Sequence, residues 1–271
     1  MCPLTTIRCV HPIERLRYMA RAGDVGTASL IREAAVALSA TARDPVELVM
    51  ACRQLIERRP SSGPLVWLSA RMITGSDARA EAWDAAEAIE RDTTARELAH
   101  VLVADTVVLV IGSPEIAGRS LRARGDVSVL VADTIGEGYG LVHQLEINDH
   151  SVADVPAGGV GSAAAAAGLV LLETDALSDG GALCRTGSLA AAAVAHHSGV
   201  PVWLVAGVGR CLPSRMWEPM ADRSISDQAW DDEVERVPLE LIDKVVGPSG
   251  PQPIAEARLR VDCPIAPELF R

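Results

Sequence analysis

The sequence predicts an α/β fold: a helical N-terminal region followed by a doubly wound parallel sheet. Three observations carry this. Up to about Asp105 the apolar residues recur mostly at helical spacing. From Val107 onward, short apolar runs alternate with helical segments. Residues 169–205 read as a strand–loop–helix–strand unit, with polar residues gathered where the first strand ends.

Taken in order, residues 12–21 show a mixed apolar pattern, and Asp24-Val25-Gly26-Thr27 gives a turn. Residues 27–42 form a helix by their apolar spacing. Asp44-Pro45 starts the next, because the acid accepts first-turn amides and proline loses nothing at the first helical position. That helix covers 46–58 and stops at Pro60. Ser61-Ser62-Gly63 is a loop, and Pro64 or Leu65 begins a helix through Met72. Ser76-Asp77 caps a long helix to Arg91, and Thr93-Thr94 leads toward Val101. The runs 107–111, 127–131, 151–155, 169–172 and 202–205 are strands, with helices over 115–124, 138–146, 162–167 and 188–198. Five strands joined by helical crossovers make a parallel sheet. The change of pattern divides the chain into a helical 1–105 and a sheet-forming 106–271. Residues 211–237 read as irregular, with an acidic run at 231–235 open to a partner. Residues 247–253 form a loop, and the tail 261–271 adds an edge strand or wraps a neighbour.

Composition bounds the function. Hydrophobic residues make up 49% of the 271 and aromatics 3%, so the core is built of Ala, Val and Leu. The net charge of −11 argues against nucleic acid, whose phosphates need a basic face, while leaving room for a small basic pocket. Six scattered cysteines without a C-x-x-C pair read as reduced thiols, with no metal site. No apolar run reaches the roughly 18 residues that span a bilayer, and no signal pattern opens the chain. The expectation is a cytoplasmic protein with no membrane partner. Without G-x-G-x-x-G no dinucleotide cofactor is expected, nor any other.

The chemistry gathers at strand ends. Glu173 and Asp175 close one apolar run, and Arg185-Thr186-Gly187-Ser188 opens the helix that follows. Free amides of a first helical turn beside an arginine suit a phosphate. Gly112-Ser113-Pro114 follows the first strand and resembles a phosphate loop only loosely.

Three motifs in register resemble those of the methylthioribose-1-phosphate and ribose-1,5-bisphosphate isomerases and the related regulatory subunits of translation initiation factor 2B. Glu173-Thr174-Asp175, Cys184-Arg185-Thr186-Gly187-Ser188 and Val200-Pro201 resemble the family's G-A-D/E, N-K-I-G-T and V-P elements. Arg21-Ala22-Gly23-Asp24-Val25-Gly26 resembles R-G-A-x-x-I-G, and Arg59-Pro60-Ser61-Ser62 resembles the R-P-T start of a helix. The resemblance implies a helical region on a Rossmann-like sheet domain, assembled as a homodimer and binding a small phosphorylated substrate. It nominates Arg21, Arg59, Arg185, Gly187 and Ser188 for substrate binding and Asp175 for catalysis; Gly112, in the loop after the first strand, is added as a substrate-binding candidate.

The departures are specific. The family's catalytic cysteine falls in Val110-Ile111-Gly112, followed by Ser113, so no thiol stands there. Ser113 and Cys184, the latter as a relocated thiol or a space-filling residue, are the candidates for a second catalytic group. The arginine of an E-T-R-P segment becomes Ile135, the asparagine of a D-N segment becomes Val155, and the N-K pair becomes Cys184-Arg185. Two readings follow: an aldose–ketose isomerase acting on a phosphorylated pentose or related sugar with an altered catalytic set, or a non-catalytic sugar-phosphate or nucleotide-binding regulatory protein.

Overall fold

A computed structural model describes residues 26–257 and 261–271. Five helices come first: α1 (Thr27–Ser39), α2 (Pro45–Arg58), α3 (Gly63–Thr74), α4 (Ala78–Glu90) and α5 (Thr94–Val101). The Asp44 carboxylate accepts from the amides of Val46 and Glu47 and so starts α2; Asp77 does the same for α4 through Arg79 and Ala80. α3 is apolar on all sides and accordingly runs through the middle, with Leu65, Val66, Trp67, Leu68 and Met72 buried.

The sheet follows as β1 (Val107–Ile111), α6 (Glu115–Arg122), β2 (Ser128–Asp133), α7 (Tyr139–Glu146), β3 (Val152–Pro156), α8 (Val160–Ala166), β4 (Leu169–Ser178), β5 (Gly181–Arg185), α9 (Ser188–Ser198), β6 (Val202–Val205), α10 (Ser214–Ser224), β7 (Val234–Val237), β8 (Lys244–Gly247) and β9 (Gly250–Pro253). The order β3-β2-β1-β4-β6-β8 is parallel throughout, and β9 pairs antiparallel with β8 at one edge. The chain works outward from β1 in one direction and from β4 in the other. The switch point of this α/β sheet therefore lies between β1 and β4, and the crevice at their carboxyl ends is where such sheets take ligands.

Several expectations change. Residues 211–237, expected to be irregular, hold α10 and β7, and residues 250–253, expected in a loop, form β9. Residues 173–185 are not a strand end and a loop: β4 continues to Ser178, turns at Asp179-Gly180 and returns as β5. The acidic run at 231–235 is not wholly irregular: it leads into β7, which pairs with β5. The tail adds no edge strand. It packs on the protein's own helices, with Cys263, Ala266 and Leu269 in one core with α1–α4 and α10.

Candidate functional site

Asp175 owes its position to an irregularity in β4. Thr174 pairs with Cys184 and Ala176 with Leu183, so Asp175 is the extra residue of a β-bulge, with nothing opposite it in the ladder. Bulges re-aim side chains, and this one turns a carboxyl into the crevice. The Thr174 hydroxyl braces it by donating to the carbonyls of Ala176 (2.6 Å) and Leu183 (2.8 Å). The other side is pressed by the start of α3. A Cβ on Gly63 would lie 2.4 Å from the Asp175 carbonyl oxygen, so only glycine fits there.

The crevice is a cleft of about 460 Å³. Arg59 enters it from the end of α2, Ser61 and Ser62 from the α3 start, Ser113 from the loop after β1, and Arg119 and Arg122 from α6. Glu173, Asp175, Arg185, Ser188 and Arg210 close the other side. The volume falls in the range of small-molecule sites. Five arginines face three acids, Glu115 being the third, so the cleft is locally positive in a protein of net charge −11. Low-dielectric walls focus such a field on an anionic ligand.

Two of the acids are already engaged. Glu115 accepts from the Thr27 amide (2.9 Å) and seats α1 on α6. Glu173 accepts from the amides of Ile116 (2.7 Å) and Ala117 (3.0 Å) and pairs with Arg210 (3.1 Å). Arg210 is 4% exposed and donates to the Thr174 carbonyl as well (2.5 Å). Asp175 accepts no hydrogen bond from the described residues. Burial raises its carboxyl above the usual range, and Arg210, Arg185 and Arg59 act against that rise. Among the described residues it is the carboxyl of the cleft that holds no hydrogen bond.

The nominated residues separate. Asp175, Arg59, Arg185, Ser113 and Ser188 line the cleft together; Arg21 lies outside the described residues. Cys184 is fully buried, because alternation along β5 sends Arg185 to the cleft and its neighbour into the core. Burial pushes that thiol well up, with Asp175 adding to the effect, which leaves it unsuited to proton transfer. Gly112 is buried and does not line the cleft; its φ of +62° makes the turn out of β1. Gly187 (φ +101°) lies under Thr134, whose Cγ2 would be 2.5 Å from an added Cβ. One amide of the first turn of α9 is already taken: that of Leu189 donates to Glu235 of β7 at 2.8 Å. Arg185 is held only loosely at the rim, by Glu137 (3.4 Å) and Glu233 (3.6 Å).

Sequence reasoning missed Arg119, Arg122, Arg210 and the engagement of Glu173. Arg210 had a signal: Gly207-Val208-Gly209-Arg210 directly follows the β6 strand, at the carboxyl edge where ligands bind. The two α6 arginines stand three apart after β1, on one helical face. Among the described residues no group of His, Cys, Asp and Glu is arranged to hold a metal ion. No helix there is long and apolar enough to cross a membrane.

No protein-family model matches the sequence, and no curated protein does. Solved structures match the fold. A translation initiation factor eIF-2B from Pyrococcus horikoshii OT3 aligns at TM-score 0.73 and 17% identity, covering 91% of this chain and 98% of that one. The tetrameric eIF2B-beta2-delta2 complex from C. thermophilum contributes a chain at TM-score 0.70 and 18% identity, covering 91% and 92%. The eIF2B beta structure from Chaetomium thermophilum gives 0.68 and 17%, covering 89% and 88%. The likeness is one of fold, and it spans both the helical region and the sheet.

Proposed function

We propose that the cleft binds a small phosphorylated sugar and that Asp175 moves protons in its aldose–ketose isomerisation. The observation that supports this is the bulge: it presents one carboxyl, raised by burial and accepting no hydrogen bond from the described residues, to a space rimmed by arginines. Arg59, Arg119, Arg122 and Arg185 supply the guanidinium groups for the phosphate.

The chemistry balances with Asp175 alone. Its protonated carboxyl donates to the ring oxygen as the C1–O bond opens. A hydride then passes from C2 to C1, the C2 hydroxyl becomes a carbonyl, and its proton returns to the Asp175 carboxylate. A carboxyl with a raised pKa is suited to holding that proton near neutral pH.

A second reading, ligand binding without turnover, is favoured by a different observation: with Cys184 buried and Glu115 and Glu173 engaged, the described residues offer no second unengaged carboxyl or thiol in the cleft for acid–base work. One experiment separates the two. Wild type and Asp175→Asn are incubated with aldose phosphates, including ribose 1,5-bisphosphate and methylthioribose 1-phosphate, and followed by ¹³C NMR and thermal shift. The isomerase reading expects a ketose C2 signal from wild type, falling about 10²–10⁴-fold in Asp175→Asn with the thermal shift retained. Thermal shift without product across the panel supports binding alone. Neither product nor shift removes both.

A further inference from the structure

The Glu173–Arg210 pair is an unusual investment next to a bulge. Both side chains are nearly inaccessible, at 9% and 5%. Withdrawing two charges from water is costly, and apolar residues of equal volume commonly stabilise a fold as well or better. The pair also does not cap a surface: it lies on the cleft wall, immediately before the carboxyl proposed to act.

We propose that Arg210, held by Glu173, is the positioning residue that fixes Asp175 in the cleft. One guanidinium grips the chain at two points upstream of Asp175, the Thr174 carbonyl through Nη1 and the Glu173 carboxylate through Nη2. The other Glu173 oxygen is fixed by the first-turn amides of α6. Asp175, having no partner across the ladder, takes its direction from this clamp and from Gly63 behind it. The planar guanidinium fork is what allows the double grip; an ammonium brings the charge without that geometry. This inference rests on Asp175 being the acting group, as proposed above.

Charge and geometry are separable by experiment, because they act on Asp175 with opposite signs. The groups around it are Arg59 from the end of α2, Arg185 and Cys184 of β5, and Arg210, with Glu173 of its own strand lining the same cleft. Burial raises the Asp175 carboxyl and the Arg210 charge lowers it. Arg210→Met removes charge and grip together: the lost charge alone would raise the titration midpoint of the Asp175 side-chain carbon, read by ¹³C NMR without any ligand, whereas a freed carboxyl lowers it. Arg210→Lys keeps the charge and loses the double grip. A freed Asp175 then swings toward solvent, so its midpoint should fall by about one pH unit, a tenfold change in protonation. Where wild type turns over a sugar phosphate, kcat in Arg210→Lys should fall about tenfold with KM within about twofold. Where Arg210→Lys does not fold, Arg210→Met decides: a midpoint below wild type shows the lost grip, and one above it shows charge alone and overturns the proposal. A folded Arg210→Lys titrating like wild type would show that Arg210 acts by charge alone and overturn the proposal. So would an Asp175 signal unmoved in both Arg210 variants. The titration decides even if no substrate is ever turned over, so its failure is distinct from failure of the isomerase reading.

Discussion

A buried carboxyl whose pKa is raised on folding makes stability depend on pH in a definite direction. For Asp175 the folded state holds its proton more tightly than the unfolded chain does. Its contribution is fully present below the ordinary aspartate value of about 3.9 and is lost as pH rises through the raised folded value. Asp175→Asn removes that loss. In urea unfolding at pH 4, 5.5 and 7, the variant should gain on wild type as pH rises; a difference that does not change with pH would count against a raised Asp175. At this scale the sequence spoke through residue type and strand position, which brought out Asp175, Arg59 and Arg185. It left Cys184 between a relocated thiol and a space-filling residue, because the parity of a strand not seen as a strand decides which of two neighbours faces the cleft. The Arg210 clamp was silent for another reason: its contacts reach 36 residues along the chain to Thr174, and no local pattern encodes them.

Elements were legible where apolar periodicity ran long enough. The five expected parallel strands and their crossover helices fall close to observed elements, while the sixth parallel strand, β8, was not expected. The β4–β5 hairpin was not legible. Its strands are short and rich in small residues, and a turn at Asp179-Gly180 looks the same whether strands flank it or not. Yet that hairpin makes the bulge, and α3 fits it only through Gly63. Gly63→Ala should therefore destabilise by about 1–3 kcal/mol, since the new Cβ meets backbone oxygen, not a yielding side chain. The matched control is Gly140→Ala in α7, where a Cβ meets nothing within 4 Å; it should stabilise by about 0.5–1 kcal/mol. Denaturant midpoints of the two variants should move in opposite directions, and a neutral Gly63→Ala would mean that α3 does not press on the bulge.

At the scale of the whole molecule, the helical region does not complete its own core. Trp67, Leu68 and Ala86 share a cluster with Met216 and Trp217 of α10 and with Ala266 and Leu269 of the tail. The alternation of runs gave the sheet and its crevice, but the tail has no periodicity to read: residues 261–266 are irregular, and Pro267–Phe270 is one 3₁₀ turn. What holds it is tertiary. Leu269 is fully buried, Arg53 donates to the Glu268 carbonyl (2.7 Å), Arg223 donates to the Phe270 carbonyl (2.7 Å), and the Ala266 amide meets the Met216 sulfur (3.1 Å). These contacts join α2 and α10 from opposite sides of the chain's length. Arg59 at the end of α2 also enters the cleft, so loosening the tail loosens one of its walls. Leu269→Ala should cost about 2–5 kcal/mol in global unfolding, as emptied leucine sites in packed cores do. It should also raise proteolytic cleavage within 261–271 under native conditions. A loss below about 1 kcal/mol would show that the tail frays without disturbing the helices, and that the cleft stands on the sheet alone.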